Sequence, residues 1–246
     1  ELVPQGALRF VLAVLSSVAE TIDAGMDLHI ESEFSSEVGL GSSAAVTVAT
    51  FAALDGMRGI TIDKEKIWKR SMQVVRSIQG RASGCDVAAS TFGGIVQYRM
   101  EPAEVNTLPG YPPLVLVYSG SKMPTAEVIS IVEGRRAEEL EGFSRLYSRM
   151  DEYADMAAKA LAEGDWQRLG MIFAENQKGM AEMGLNNPAL ETIVNRLQED
   201  PGVFGAKISG SGLGDCVVGV GEITSSLAPF QVIPVSIGDQ GVRVVQ

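Results

Sequence analysis

From Thr125 to Asp200 the chain reads as one helical stretch after another, and from Gly205 onward it reads as short apolar strands. Three helical segments fill the first block, beginning "TAEVIS", "DWQRLG" and "NPALET", the last with Asn187 placed before Pro188 as a first turn prefers. The second block holds "GAKIS", "DCVVGVG", "FQVIPVSI" and "GVRVVQ". Helices first and strands after indicate an α+β arrangement rather than regular βαβ winding. With 246 residues, 46% of them hydrophobic, the chain lies between one large domain and two ordinary ones, so two lobes are expected. The proline-rich "EPAEVNTLPGYPP" marks the boundary, giving lobes over 1–110 and 111–246.

The first lobe reads as a helix over residues 8–24, ended by Gly25, then the alternating strand "MDLHIESEF". The glycine-serine turn "SSEVGLGSS" leads into a largely buried helix, "AAVTVATFAALDGM". A second helix, "DKEKIWKRSMQVVRSIQ", has Asp63 as its N-cap and ends at Gly80. After "GRASGCDVAASTFGG" comes "IVQYRM", a short strand, and "LVLVYSG" opens the second lobe as a continuous apolar strand.

A formal charge of -11 makes nucleic acid and acidic membranes poor partners, and no local basic patch offsets it. The runs "KEKIWKR" and "EGRRAEE" are interrupted by acids and read as solvated helix faces. Cys85 and Cys216 lack the short spacing of a zinc or redox pair, which suggests reduced thiols. The single histidine, His29, excludes multi-histidine metal sites and reads as a strand surface residue. No apolar run approaches the roughly 20 residues a bilayer requires, and no secretory layout opens the chain. A soluble, cytoplasmic protein is expected.

Three motifs carry chemistry. In "GLGSSAAV", Gly39 and Gly41 permit a tight turn, and the serines stand where a new helix offers free N–H groups to an anion. Simple capping remains the alternative there. In "KISGSGLGDCVV", Gly210, Gly212 and Gly214 with Ser209 and Ser211 exceed what a hairpin needs, so a backbone-lined ligand loop fits better. In "SGCDVAAS", Asp86 follows a glycine turn, as a helix cap or as the general base of a phosphoryl transfer.

Together, in order and separation, "GLGSSAAV", "SGCDVAASTFGG" and "GAKISGSGLGDC" resemble the motifs of the GHMP kinases. Within them "GLGSSAAVTVA", "STFGG", "NQKGMAEMGL" and "FGAKISGSG" are most similar to segments of the mevalonate kinases. The likeness spans nearly the whole chain. It implies a two-lobed α+β fold, with a left lobe like ribosomal protein S5 domain 2, a ferredoxin-like right lobe, and an active site between them. It also implies that Gly39, Leu40, Gly41, Ser42, Ser43 and Ala44 wrap the phosphates of ATP, and that Ser43 reaches Mg2+. By the same resemblance Asp86 is the base on the substrate hydroxyl, while Ser209, Gly210, Ser211 and Gly212, with residues up to Gly214, close over substrate and nucleotide.

The implied activity is ATP-dependent phosphorylation of an alcohol, mevalonate first, in isoprenoid biosynthesis. Phosphomevalonate or a sugar remain alternative acceptors, and a truncated, non-catalytic relative is the alternative outside enzymes. The partner is then a small hydroxy acid, with neither nucleic acid nor membrane, and the assembly stays open, a homodimer included. Three departures stand out. The family's opening PGKxxLxGEH motif has no counterpart, so an incomplete left lobe is expected after Glu1; Val75 occupies the place of a magnesium-binding glutamate; and Ser35 and Glu37 precede the loop where proline and glycine are common. Glu37 would weaken nucleotide binding unless a cation offsets it. Lys122, in "SGSKMP", is either a substrate-side cation or a solvated lysine.

Overall fold

The computed structural model describes residues 8–33, 38–80 and 82–245. The chain divides into two compact units, one of Glu1–Ser36, Leu40–Thr107 and Gly238–Gln246, the other of Glu37–Gly39 and Leu108–Ile237.

The first unit holds α1 (Arg9–Ser17), α2 (Ser42–Met57), α3 (Lys64–Gln79), α4 (Cys85–Phe92) and the two-stranded sheet of β1 (Ile95–Met100) and β2 (Ala103–Leu108). Asp63 caps α3 by accepting a hydrogen bond from the Lys66 amide, 3.1 Å, and Gly80 ends the helix. Because α2 is apolar all round, it must be packed on several sides. Val48 and Phe51 are buried against Val14 of α1, Ile67 and Met72 of α3, and Val87 of α4. Burying side chains of this size contributes roughly 1.5 to 3 kcal/mol each. Below them Trp68 meets the edges of Phe92 and Tyr98, with centroids 5.9 and 6.4 Å away. One charged pair shares this interior: Arg70 grips the buried Asp55 at 2.7 and 3.0 Å and lies 4.2 Å over the Phe51 ring.

The second unit holds β3 (Leu114–Tyr118), α5 (Thr125–Glu138), α6 (Leu140–Glu163), α7 (Trp166–Glu182), α8 (Pro188–Glu199), β4 (Val203–Ile208), β5 (Cys216–Gly221) and β6 (Gln231–Ile233). Its antiparallel sheet runs β4-β5-β3-β6, with Val117 opposite Val217. Val117, Ile208 and Val217 from the sheet bury against Phe143, Leu190, Ile193 and Leu197 from the helices. Asn187 caps α8 through the Leu190 amide at 2.9 Å, as its place before Pro188 predicts. On edge strand β4, the outward Ile208 amide donates to Gln177 of α7 at 2.8 Å, which answers the requirement that buried backbone donors be paired.

Several local expectations change. The alternating segment from Met26 forms no strand through Glu33, because alternation needs a ladder partner and none pairs with it among the described residues; Phe34 lies outside them. His29 is exposed there and 3.0 Å from Glu31, a surface position as expected. The first helix stops at Ser17 and continues only as a short 3-10 turn, Ala19–Thr21. The proline-rich stretch contains strand β2, and "GVRVVQ" is not a strand over 241–245. Strand β6 ends before Pro234, which cannot donate to the ladder. No helix among the described residues is long and apolar enough to cross a membrane.

Candidate active site

In the first unit the glycine-serine turn becomes the start of α2. Gly41 is its N-cap in the left-handed region, φ +70°, and its carbonyl accepts from the Ala44 and Ala45 amides, both at 3.0 Å. As a glycine Gly41 brings no capping side chain, and among the described residues none bonds the opening amides. The serines are therefore not cap residues, and the opening amides of a 16-residue helix remain available to an anion. Buried Ala44 anchors the first turn to the core. The sharp bend follows from glycine's freedom at positive φ, a conformation costing other residues roughly 1 to 2 kcal/mol.

A second helix begins against the same turn. Gly84, also left-handed at φ +90°, is the N-cap of α4, and the Ser83 hydroxyl accepts from the Cys85 amide at 3.3 Å. Asp86 thus occupies the first turn without capping it. A methyl group built on Gly41 would stand 3.1 Å from Asp86 Cβ and Cγ and 3.3 Å from Oδ2. The carboxylate and the turn are in direct apposition, where the positive ends of two helix dipoles meet. Asp86 is exposed as a residue, yet the atoms crowded around its carboxyl desolvate it and raise its pKa above the ordinary value of 3.8. A carboxylate of this kind accepts a proton from a neighbouring hydroxyl more readily than a fully solvated one. Adjacent Cys85 has its thiol pushed up by burial and then by Asp86, which makes it a poor nucleophile.

Ser43 lies half-buried in the first turn of α2, its hydroxyl oxygen 3.5 Å from Gln79 Nε2 at the end of α3. Val75 is 4% exposed and packed in the core, so it is no substitute for a metal-binding acid. Among the described residues no group of three or more His, Cys, Asp or Glu could hold a metal. The Ser43 hydroxyl in the first turn of α2 fits Mg2+ carried by phosphates, since that ion keeps few protein ligands and several waters in such sites, and it leaves Asp86 unliganded.

Gly39 and the second glycine loop belong to the other unit. The Ser209 amide bonds to Cys216 O at 2.8 Å and the Leu213 amide to Leu185 O at 2.7 Å, so the loop joining β4 and β5 is folded onto the α7–α8 connection. Gly210 and Gly212 take positive φ, as do Leu213 and Asp215. The Ser211 hydroxyl is buried without a hydrogen-bond partner among the described residues. A Cβ on Gly39 would collide with the Asp215 carboxyl carbon, which ties the start of the "GLGSS" turn to the "GLGD" turn. Burial raises the Asp215 pKa and the charge of Lys122 partly opposes that shift. Lys122 itself is exposed. Leu40 is the residue at which the chain passes into the first unit, and Ser35 and Glu37 lie outside the described residues.

Sequence reasoning did not single out Gln79 or Asp215. Gln79 carries no local signal beyond preceding a helix-ending glycine, and its approach to a serine 36 positions away is a tertiary fact. Asp215 lies in "GLGDC", where the glycines dominate the local signal.

The GHMP kinases N terminal domain model matches residues 8–94, and the GHMP kinases C terminal model matches residues 157–226. The chain is 34% identical over 220 residues to a mevalonate kinase of Archaeoglobus fulgidus, covering 89% of this chain and 73% of that one. It is 30% identical over 225 residues to a mevalonate kinase of Aeropyrum pernix, covering 87% and 69%. Across the similar mevalonate kinases it spans between 64% and 73% of their length. Among solved structures it resembles an L. major mevalonate kinase in complex with R-mevalonate, with TM-score 0.66 and 27% identity over 74% of this chain and 57% of that one. Both family models, the fold and these relatives agree: the chain belongs to the GHMP kinases, and with its mevalonate kinase relatives it is a phosphotransferase with an alcohol acceptor.

Proposed function

We propose that this chain transfers the γ-phosphate of ATP to the primary alcohol of mevalonate, with Mg2+ accompanying the nucleotide. The observation that carries the reading is the apposition of Asp86 and Gly41, which puts a desolvated carboxylate beside the uncapped start of α2. The amides of Ser42 and Ser43 would hold phosphate oxygens, and the Ser43 hydroxyl would be the protein ligand of the metal. When bound, Mg2+ neutralises charge on the phosphates. Asp86 accepts the proton of the acceptor hydroxyl as its oxygen attacks the γ-phosphorus and the bond to the β–γ bridging oxygen breaks to release ADP, and the two helix N-termini stabilise negative charge that develops on the transferring group. The choice of mevalonate rests on the named relatives.

The test is ADP release with mevalonate, phosphomevalonate and galactose as acceptors, for wild type and for the nearly isosteric Asp86→Asn. Turnover of mevalonate, with kcat in the variant reduced about 10^2- to 10^4-fold, is expected. The acid limb of the wild-type kcat/KM profile should lie above the pH at which an ordinary aspartate titrates, because desolvation raises this carboxyl and the base must be ionised. Turnover of none of the three acceptors, or an Asn variant as active as wild type, would sink the assignment.

A further inference from the structure

Helix α3 delivers its last side chain to the serine at the head of α2. Gln79 is the final residue of α3, and Gly80, which caps the helix, bonds back to Arg76 O at 2.9 Å. The exposed amide of Gln79 therefore extends off the helix end, with Nε2 at 3.5 Å from Ser43 Oγ. One turn earlier on the same helix, Val75 is sealed in the core. The polar group that α3 presents to this hydroxyl is thus a neutral amide.

A serine hydroxyl has two lone pairs and one proton. If one lone pair is to face a metal, something must hold the remainder of the group in place. A side-chain amide can do this from either end, donating through Nε2 or, after rotation, accepting the hydroxyl proton through Oε1. A separation of 3.5 Å is long for such a bond, and contacts of this kind commonly shorten when the ligand enters.

We propose that Gln79 is a positioning residue for the metal–nucleotide, fixing the Ser43 hydroxyl so that its oxygen is aimed at the cation. The inference rests on the kinase reading above. It makes metal affinity depend on an uncharged partner, which adds no repulsion toward the phosphates but also no attraction for Mg2+.

Equilibrium titration of the full chain with ADP, in excess Mg2+ and separately in chelator, tests this without turnover. Gln79→Met keeps the length of the side chain and removes its hydrogen bonding; it should weaken Mg-ADP about 3- to 10-fold, the worth of one hydrogen bond, and leave metal-free ADP binding unchanged. Gln79→Glu restores a hydrogen-bonding end and adds charge, so half-maximal binding should need several-fold less Mg2+. Mg-ADP binding by Gln79→Met within a factor of two of wild type would overturn the proposal, as would equal losses with and without metal. If wild type itself bound no Mg-ADP, the kinase reading would fall together with this one, whereas a binding wild type with an indifferent Gln79→Met would remove only the role of Gln79.

Discussion

Replacing Gly41 by alanine tests whether Asp86 truly packs against the turn, and the fold supplies its own control. Gly59 has nearly the same backbone conformation, φ +68° against +70°, but nothing lies within 4 Å of the place a Cβ would take. Gly59→Ala therefore measures backbone strain alone: roughly 1 to 2 kcal/mol for the left-handed region, less about 0.4 to 1 kcal/mol recovered from a stiffer unfolded chain, or about 1 kcal/mol net. Gly41→Ala bears the same strain and also forces a methyl to 3.1 Å from two Asp86 carbons. That is some half an ångström inside the optimal separation of about 3.5 to 4.0 Å, an overpacking that costs on the order of 1 to 3 kcal/mol unless Asp86 moves. A total of about 2 to 4 kcal/mol is expected. The measurement is urea unfolding followed by Trp68 fluorescence in a Trp166→Phe background, since Trp68 is buried in the first unit and Trp166 belongs to the second. Equal losses for the two alanine variants, with kcat unchanged in Gly41→Ala, would refute the apposition of turn and carboxylate. A small stability loss with a large fall in kcat would mean that Asp86 yields and is displaced from its working position.

The remaining predictions concern buried charge. Asp55→Ala leaves the partly exposed Arg70 without the carboxylate that both its bonds reach, and should cost about 1.5 to 3 kcal/mol in the same unfolding assay, the worth of hydrogen bonds to a charged group. A loss under 1 kcal/mol would show the pair to be solvated. Lys207 on β4 is half-buried as a residue, but its ammonium, which donates to Ile208 O at 2.6 Å, is enclosed enough that desolvation lowers its pKa to about 8. Its folded pKa lies below the unfolded value, so the unfolded chain binds more protons between about pH 8 and 10.4, and this residue's contribution to stability rises with pH across that window. Lys207→Met should remove the rise; thermal melts showing the same pH slope in both proteins would contradict the shift.

Much of the fold was legible in the residues because its signals are local. Asp63 three positions before Lys66, and Asn187 ahead of Pro188, announce helix starts through hydrogen bonds that span one turn, and both caps are made. The apolar runs "LVLVY" and "CVVGV" announce strands buried on both faces, and they pair centrally in the sheet of the second unit. What failed was the reading of alternation as a strand over residues 26–33, since a ladder partner is supplied by the rest of the molecule and not by the segment.

The sequence by itself determined the chemistry on offer: two glycine-rich turns, serines at a helix start, and one aspartate after a third turn, in an order that resembles the GHMP kinases. Tertiary structure alone decided which of those groups share a neighbourhood. It set Asp86 against Gly41, 45 positions earlier, Gly39 against Asp215, and Gln79 beside Ser43, and it buried Val75 in the core. It also returned the segment from Gly238 to the first unit, where the Val242 amide bonds to Thr91 O at 3.1 Å. The physical reason is range: capping and backbone preference act over three or four residues, whereas the position of a carboxylate relative to a helix end is fixed by how whole helices pack.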